Sequence, residues 1–127
     1  MCGKEIMQKQ NNRQVGREKE TLAAAYLEVN GIRILECNFR IRSGEIDLVG
    51  TDGTYLIFFE VKYRRNLKFD SPLAAVNLKK QRNIFQVSDY YRLVKGVSRI
   101  KPVRYDVVGI SGEDIIWVKN AFPYRGY

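Results

Sequence analysis

The sequence predicts an α/β protein with a mixed central sheet flanked by helices, in the order αβββαββ. Three observations carry that expectation. Two segments, about 15–30 and 71–94, space their apolar residues at helical period. Shorter runs between and after them either alternate or are apolar throughout, as strands do. Glycine-bearing turns separate the runs, and no repeat or low-complexity linker interrupts them.

Residues 1–14 are polar without clear periodicity and read as a mobile N-terminal tail, leaving 15–127 as a single domain. In the first helix Val15, Leu22, Tyr26 and Val29 form one stripe, widened by Ala23 and Leu27, and Asn30-Gly31 supplies a stop. Ile32 to Ile41 reads as the first strand, Ser43-Gly44 as a turn, and Glu45 to Val49 as the second strand. Asp52-Gly53 is a strong hairpin signal into a third strand at about 54–63. The run from Tyr55 is apolar on both faces until its charges arrive, as expected of a central strand covered on both sides. Ser71-Pro72 has the form of an N-cap followed by proline at the first helical position. The helix it opens should run to about Val94 and end at Gly96, with Leu73, Val76, Ile84, Val87, Tyr91 and Val94 as its stripe. Lys80 fills the one missing place in that series. Strands at about 102–110 and 114–118 close the chain, with Gly112 turning between them.

At 127 residues the chain can bury a substantial core. Lys and Arg total 22 against 14 Asp and Glu, a net charge of +8. That excess favours a polyanionic partner, nucleic acid ahead of an acidic membrane surface. Histidine is absent, which excludes Ser-His-Asp and Cys-His catalysis and histidine-bearing zinc sites. Acid–base work at neutral pH must then fall to carboxylates, Lys, Tyr or metal-activated water. Cys2 and Cys37 have neither zinc spacing nor a disulfide framework and read as free thiols of a reducing compartment. No apolar run approaches the roughly 18 residues needed to span a membrane, and no signal segment opens the chain. A cytoplasmic location is expected.

Asp47 and Glu60-Val61-Lys62 fall on what read as adjacent strands, with twelve residues between the two acids. Glu60 and Lys62 are two apart and so project from one face. A structural ion pair is the plain alternative. Two carboxylates against one lysine leave a negative charge uncompensated, however, and a divalent cation would satisfy it. Such a cation, Mg²⁺ or Mn²⁺, would take Asp47, Glu60 and a backbone carbonyl (Val61 is nearest) as ligands. Lys62 is expected to stay protonated beside the acids and to orient water or stabilise charge. Glu20 precedes Ala23, Ala24 and Leu27 by three, four and seven residues and can lean toward the sheet as a further acid, though periodicity alone favours solvent. Lys80 can reach a scissile phosphate, pair with a site carboxylate, or snorkel from a buried face. Tyr63, Arg64, Arg65, Lys68 and Phe69 interleave basic and aromatic side chains directly after the motif, and Arg92, Lys95, Arg99, Lys101 and Arg104 form a second basic cluster. Asp106 reads as a structural hydrogen-bond acceptor near the sheet edge.

At Gly44-Glu-Ile-Asp47-Leu-Val and Phe59-Glu-Val-Lys62-Tyr-Arg64 the chain resembles the YraN-like family, which is similar to the PD-(D/E)XK nucleases, archaeal Holliday-junction resolvases among them. The resemblance runs from Gly16 to Val108 and includes Glu20 with Ala23-Ala24-Ala25-Tyr-Leu27, and Lys80-Gln81. Ile46 stands in place of the superfamily's proline, and Lys19 where a small residue is usual. The resemblance implies a restriction-endonuclease-like αβββαβ core. It implies Asp47, Glu60 and Lys62 as the metal and catalytic set with Glu20 as an additional acid. Arg64, Arg65, Lys68, Lys80 and Gln81 are the expected nucleic-acid contacts. The expected function is Mg²⁺-dependent endonucleolytic hydrolysis of DNA, including branched or structured DNA, where resolvase-like action requires a homodimer. A nucleic-acid-binding accessory protein without catalysis and a protein-interaction module are the alternatives.

Overall fold

The computed structural model describes residues 12–63 and 76–127. They form α1 (Asn12–Val29), β1 (Arg33–Ile41), β2 (Gly44–Thr51), β3 (Leu56–Tyr63), α2 (Leu78–Val94), β4 (Val103–Ser111) and β5 (Asp114–Val118), the expected order. The strands make one five-stranded sheet, β1-β2-β3-β4-β5. β3 and β4 are parallel and every other neighbouring pair is antiparallel. Parallel neighbours need a long crossover. α2 lies on it.

Each face of the sheet carries one helix and one apolar layer. Ala23, Ala24 and Leu27 of α1 pack with Ile32, Leu48, Ile57, Phe59, Val108 and Ile110. Ile84, Phe85, Val87 and Tyr91 of α2 pack on the other face with Ile46, Val49, Leu56, Phe58, Tyr105 and Val107. β3 feeds both layers in alternation, so its apolar-throughout run is the mark of a strand buried on both sides. Each helix ends in the same way. Ile32 N–H donates to Leu27 O (2.9 Å) and Gly31 N–H to Glu28 O (3.2 Å), a Schellman motif with Gly31 at φ 95°. Val97 and Gly96 repeat it on Arg92 O (2.9 Å) and Leu93 O (3.3 Å).

Several expectations are corrected. The α1 stripe is rotated: Leu22 and Val29 face solvent, and the small Ala23 and Ala24 pack instead, because they let the helix backbone sit close to the sheet. α1 also begins three residues before Val15, at Asn12. Val94 is exposed, whereas Phe85 and Ser88 join the buried face of α2. Ser71-Pro72 and Leu73 lie outside the described residues, and α2 is capped at Asn77, whose Oδ1 accepts from Lys80 N–H at 2.9 Å. Gly44 is not in the β1–β2 turn but pairs with Ile41 as the first residue of β2. Cys37 is disulfide-bonded rather than free. The other cysteine, Cys2, lies outside the described residues.

Asp106 is fully buried and accepts from Arg104 Nε (2.9 Å), Trp117 Nε1 (2.9 Å) and Asn120 N–H (2.8 Å), which fixes β4 to β5 and to the chain beyond. That chain then returns over α2. Phe122 stacks on Tyr105, Tyr124 packs on Phe85, and Tyr124 Oη donates to Asp89 Oδ2 at 2.7 Å. No helix among the described residues is long and apolar enough to cross a membrane.

Candidate active site

The β2–β3 ladder runs from Thr51↔Leu56 to Leu48↔Phe59 and stops one pair short of Asp47 and Glu60. On its other side Asp47 is level with Asn38, which lies between the pairs Cys37↔Leu48 and Phe39↔Ile46. Asn38 has φ 54°, a left-handed conformation that asparagine tolerates better than most residues. Alternation fails at this level. Leu48 and Cys37 pack in the α1 layer, but Ile46 and Phe39, two residues away, pack in the α2 layer. In a regular strand residues two apart share a face. Asp47 therefore sits where the strands part, and its Oδ2 accepts Val61 N–H at 2.7 Å in place of a ladder bond. Val61, expected to offer a carbonyl, is seen to offer its N–H.

Glu60 and Lys62 continue the face of β3 that carries Leu56 and Phe58 against α2. Both Lys62 Nζ and Lys80 Nζ lie 3.3 Å from Glu60 Oε2. Of the three roles open to Lys80, the structure gives it the pairing with a site carboxylate. Glu60 is nearly buried while Lys80 keeps 40% of its side chain exposed, so cationic charge extends from the acid to solvent.

On the other side of Asp47 lie two further acids. Oxygens of Glu20, Glu45 and Asp47 are all within 4.8 Å of one another. The rotation of α1 turns Glu20 inward, where its carboxylate lies beside Asp47 and the side chain of Asn38. Burial first, then the charge of Glu60, pushes Asp47 well above its ordinary 3.8, against the opposing pull of Val61 N–H. Burial also raises Glu20. Glu45 is steadied by Arg40, whose Nε donates to it at 2.9 Å.

Glu45 was not among the expected site residues. The signal was present, since it precedes Asp47 by two on a strand. Asn38 had no signal, because its place opposite Asp47 depends on strand register. Arg64, Arg65 and Lys68 lie outside the described residues. Gln81 turns back on its own helix start: its Nε2 donates to Val76 O at 2.9 Å and its Oε1 is buried without a partner. Of the second basic cluster, Lys95 pairs with Glu36 and Arg104 with Asp106 and Asp52. Arg92 and Arg99 line a cleft of about 480 Å³ with Asp89, Leu93 and Val97, toward the C-terminal end of α2 and away from Lys80.

The donor set fits a hard divalent cation. All its atoms are carboxylate oxygens, and separations up to 4.8 Å suit ligands each about 2.0–2.6 Å from one ion. Burial and the charges of Glu60 and Glu20 raise Asp47, as expected where carboxylates crowd together with no cation to balance them.

The model of a family described as uncharacterised protein family UPF0102 matches residues 19–110, a span that contains Glu20, Glu45, Asp47, Glu60, Lys62 and Lys80. Proteins called UPF0102 protein are similar over most of their length. One from Lachnoclostridium phytofermentans is 44% identical over 116 residues, 91% of this chain and 98% of the relative. One from Thermodesulfovibrio yellowstonii is 39% identical over 109 residues, covering 86% and 96%. One from Legionella pneumophila is 38% identical over 109 residues, covering 84% and 92%.

Proposed function

Because the chain belongs to the UPF0102 family, whose name states no activity, we propose from the site itself that it is a Mg²⁺- or Mn²⁺-dependent endonuclease acting on DNA. One observation carries the reading. Carboxylates from α1 and β2 converge where the sheet ladder opens, and Glu60 of β3, paired with two lysines, lies close enough to act on Asp47. On this reading the sheet and its two helices are the restriction-endonuclease-like core, and branched or structured DNA is the preferred substrate.

Asp47, Glu20 and Glu45 would hold the cation, with Glu60 across the strand gap. When bound, it supplies a Lewis acid toward a phosphodiester oxygen and lowers the pKa of a bound water. The chain's own residues do the rest. Val61 N–H fixes the direction of the Asp47 carboxylate. Lys62 and Lys80, both paired with Glu60 and partly exposed, would provide charge for a developing phosphorane. Asn38 orients Glu20.

The test incubates purified protein and its Asp47→Ala variant with labelled single-stranded, duplex and branched DNA and structured RNA, in Mg²⁺, Mn²⁺ or EDTA. The expected result is metal-dependent cleavage that Asp47→Ala abolishes while binding persists. Binding without cleavage on any substrate would shift the reading to the accessory protein. The double pairing of Glu60, which partly compensates the site without metal, favours that second reading.

A further inference from the structure

The site described so far uses the flank of α2 that meets Glu60. The opposite flank of the same helix turn carries a second feature. Arg82 follows Lys80 by two residues, so it projects about 200° round the helix from it. There Leu78, Gln81, Arg82 and Phe85 face Arg125, Gly126 and Tyr127 of the C-terminal segment across a cleft of about 280 Å³.

Three observations give this cleft a chemical character. Arg82 and Arg125 are both exposed, and neither makes an ion pair among the described residues. The carboxylate of this flank, Asp89, is engaged by the Tyr124 hydroxyl, which donates to it. That bond and the packing of the Tyr124 ring on Phe85 tie the residue next to Arg125 to α2. The Tyr127 ring remains 66% exposed beside the two guanidinium groups. Guanidinium forks match phosphate oxygens, and an exposed aromatic ring gives a base or sugar a stacking surface.

We infer that the Arg82–Arg125–Tyr127 cleft is a second nucleic-acid contact, which grips the backbone of the same strand that reaches Lys80. It rests on the nuclease reading above and extends the same strand around the N-terminal end of α2. A helix with its side chains is about 10–12 Å across, so the two grips lie about three 3.4 Å nucleotide steps apart. The C-terminal segment is thereby a built part of the binding surface.

The test measures binding of labelled duplex DNA in EDTA by fluorescence anisotropy across a NaCl series. It compares the wild type, Arg82→Ala/Arg125→Ala, and Arg33→Ala/Lys119→Ala, which removes equal charge from the two sheet edges. The cleft variant is expected to lower the slope of log affinity against log salt by about 1.8, two contacts at ~0.9 each. Tyr124→Phe, which removes the bond to Asp89 without changing charge, should weaken binding in the same direction. Equal losses in the cleft and edge variants, or a wild-type slope in the folded cleft variant, would overturn the inference while leaving the nuclease reading intact. A wild type that binds no nucleic acid would overturn both.

Discussion

Asp47 combines burial, a neighbouring Glu60 and the Val61 N–H it accepts, and all three bear on its proton. A carboxyl whose folded pKa is raised lends stability below its unfolded value, and that stability is lost as pH rises through the folded value. Metal-free protein should therefore lose stability relative to Asp47→Asn as pH climbs from about 4 upward. At pH 7 the variant should be the more stable by on the order of 1 kcal/mol, the usual gain when a strained site is relieved. Thermal unfolding at several pH values in EDTA checks this, and adding Mg²⁺ should raise the wild-type Tm alone. A variant with the wild-type pH profile would remove Asp47 from the role of principal buried acid. At this scale the sequence was partly transparent. Glu60 and Lys62 could be placed on one face by period two, and Lys80 by the gap it fills in an apolar stripe. Glu20 could not, because its direction depends on Ala23 and Ala24 outcompeting Leu22 for the sheet, a matter of approach distance rather than hydropathy.

Among the elements, two glycines are needed for different reasons. Gly31 closes α1 in a left-handed conformation, and sequence signals announce it. Gly50 has no such signal and is required by space. A Cβ there would stand 2.7 Å from Ile32 Cγ2, 3.0 Å from Arg33 O and 3.3 Å from Phe59 Cε2, where β1, β2 and β3 press together. Gly50→Ala should cost about 1–3 kcal/mol, read as a lower urea midpoint at unchanged slope. A wild-type midpoint would mean that β1 can shift aside freely. The strands were legible because β3 is apolar on both faces and glycine turns bound the others. The parting of β2 and β3 at Asp47 was not. It arises from register and from Asn38, and neither leaves a mark in local composition.

Over the whole molecule, net charge and its placement govern encounter with a polyanion. With four phosphate contacts, duplex DNA affinity in EDTA should fall about 100-fold between 50 and 200 mM NaCl. Salt-insensitive binding would point to recognition without phosphate contact, and to the protein-interaction alternative. Basic character was plain from 22 Lys and Arg against 14 acids, but its distribution was not. Arg104 is consumed by Asp106 and Asp52, while Arg82 and Arg125, far apart in sequence, share one cleft. The kink that shapes the site also alters the rim of the sheet. β1 is an edge strand, and its backbone is irregular twice: Leu35 is an extra residue between the pairs Ile34↔Gly50 and Glu36↔Val49, and Asn38 is left-handed. A straight edge of nine residues would offer a row of open N–H and C=O groups as a template for another chain. Broken at two points and bearing Arg33, Glu36 and Arg40, this edge is a poor template, so the distortion that gathers the acids also guards the protein against edge-to-edge aggregation.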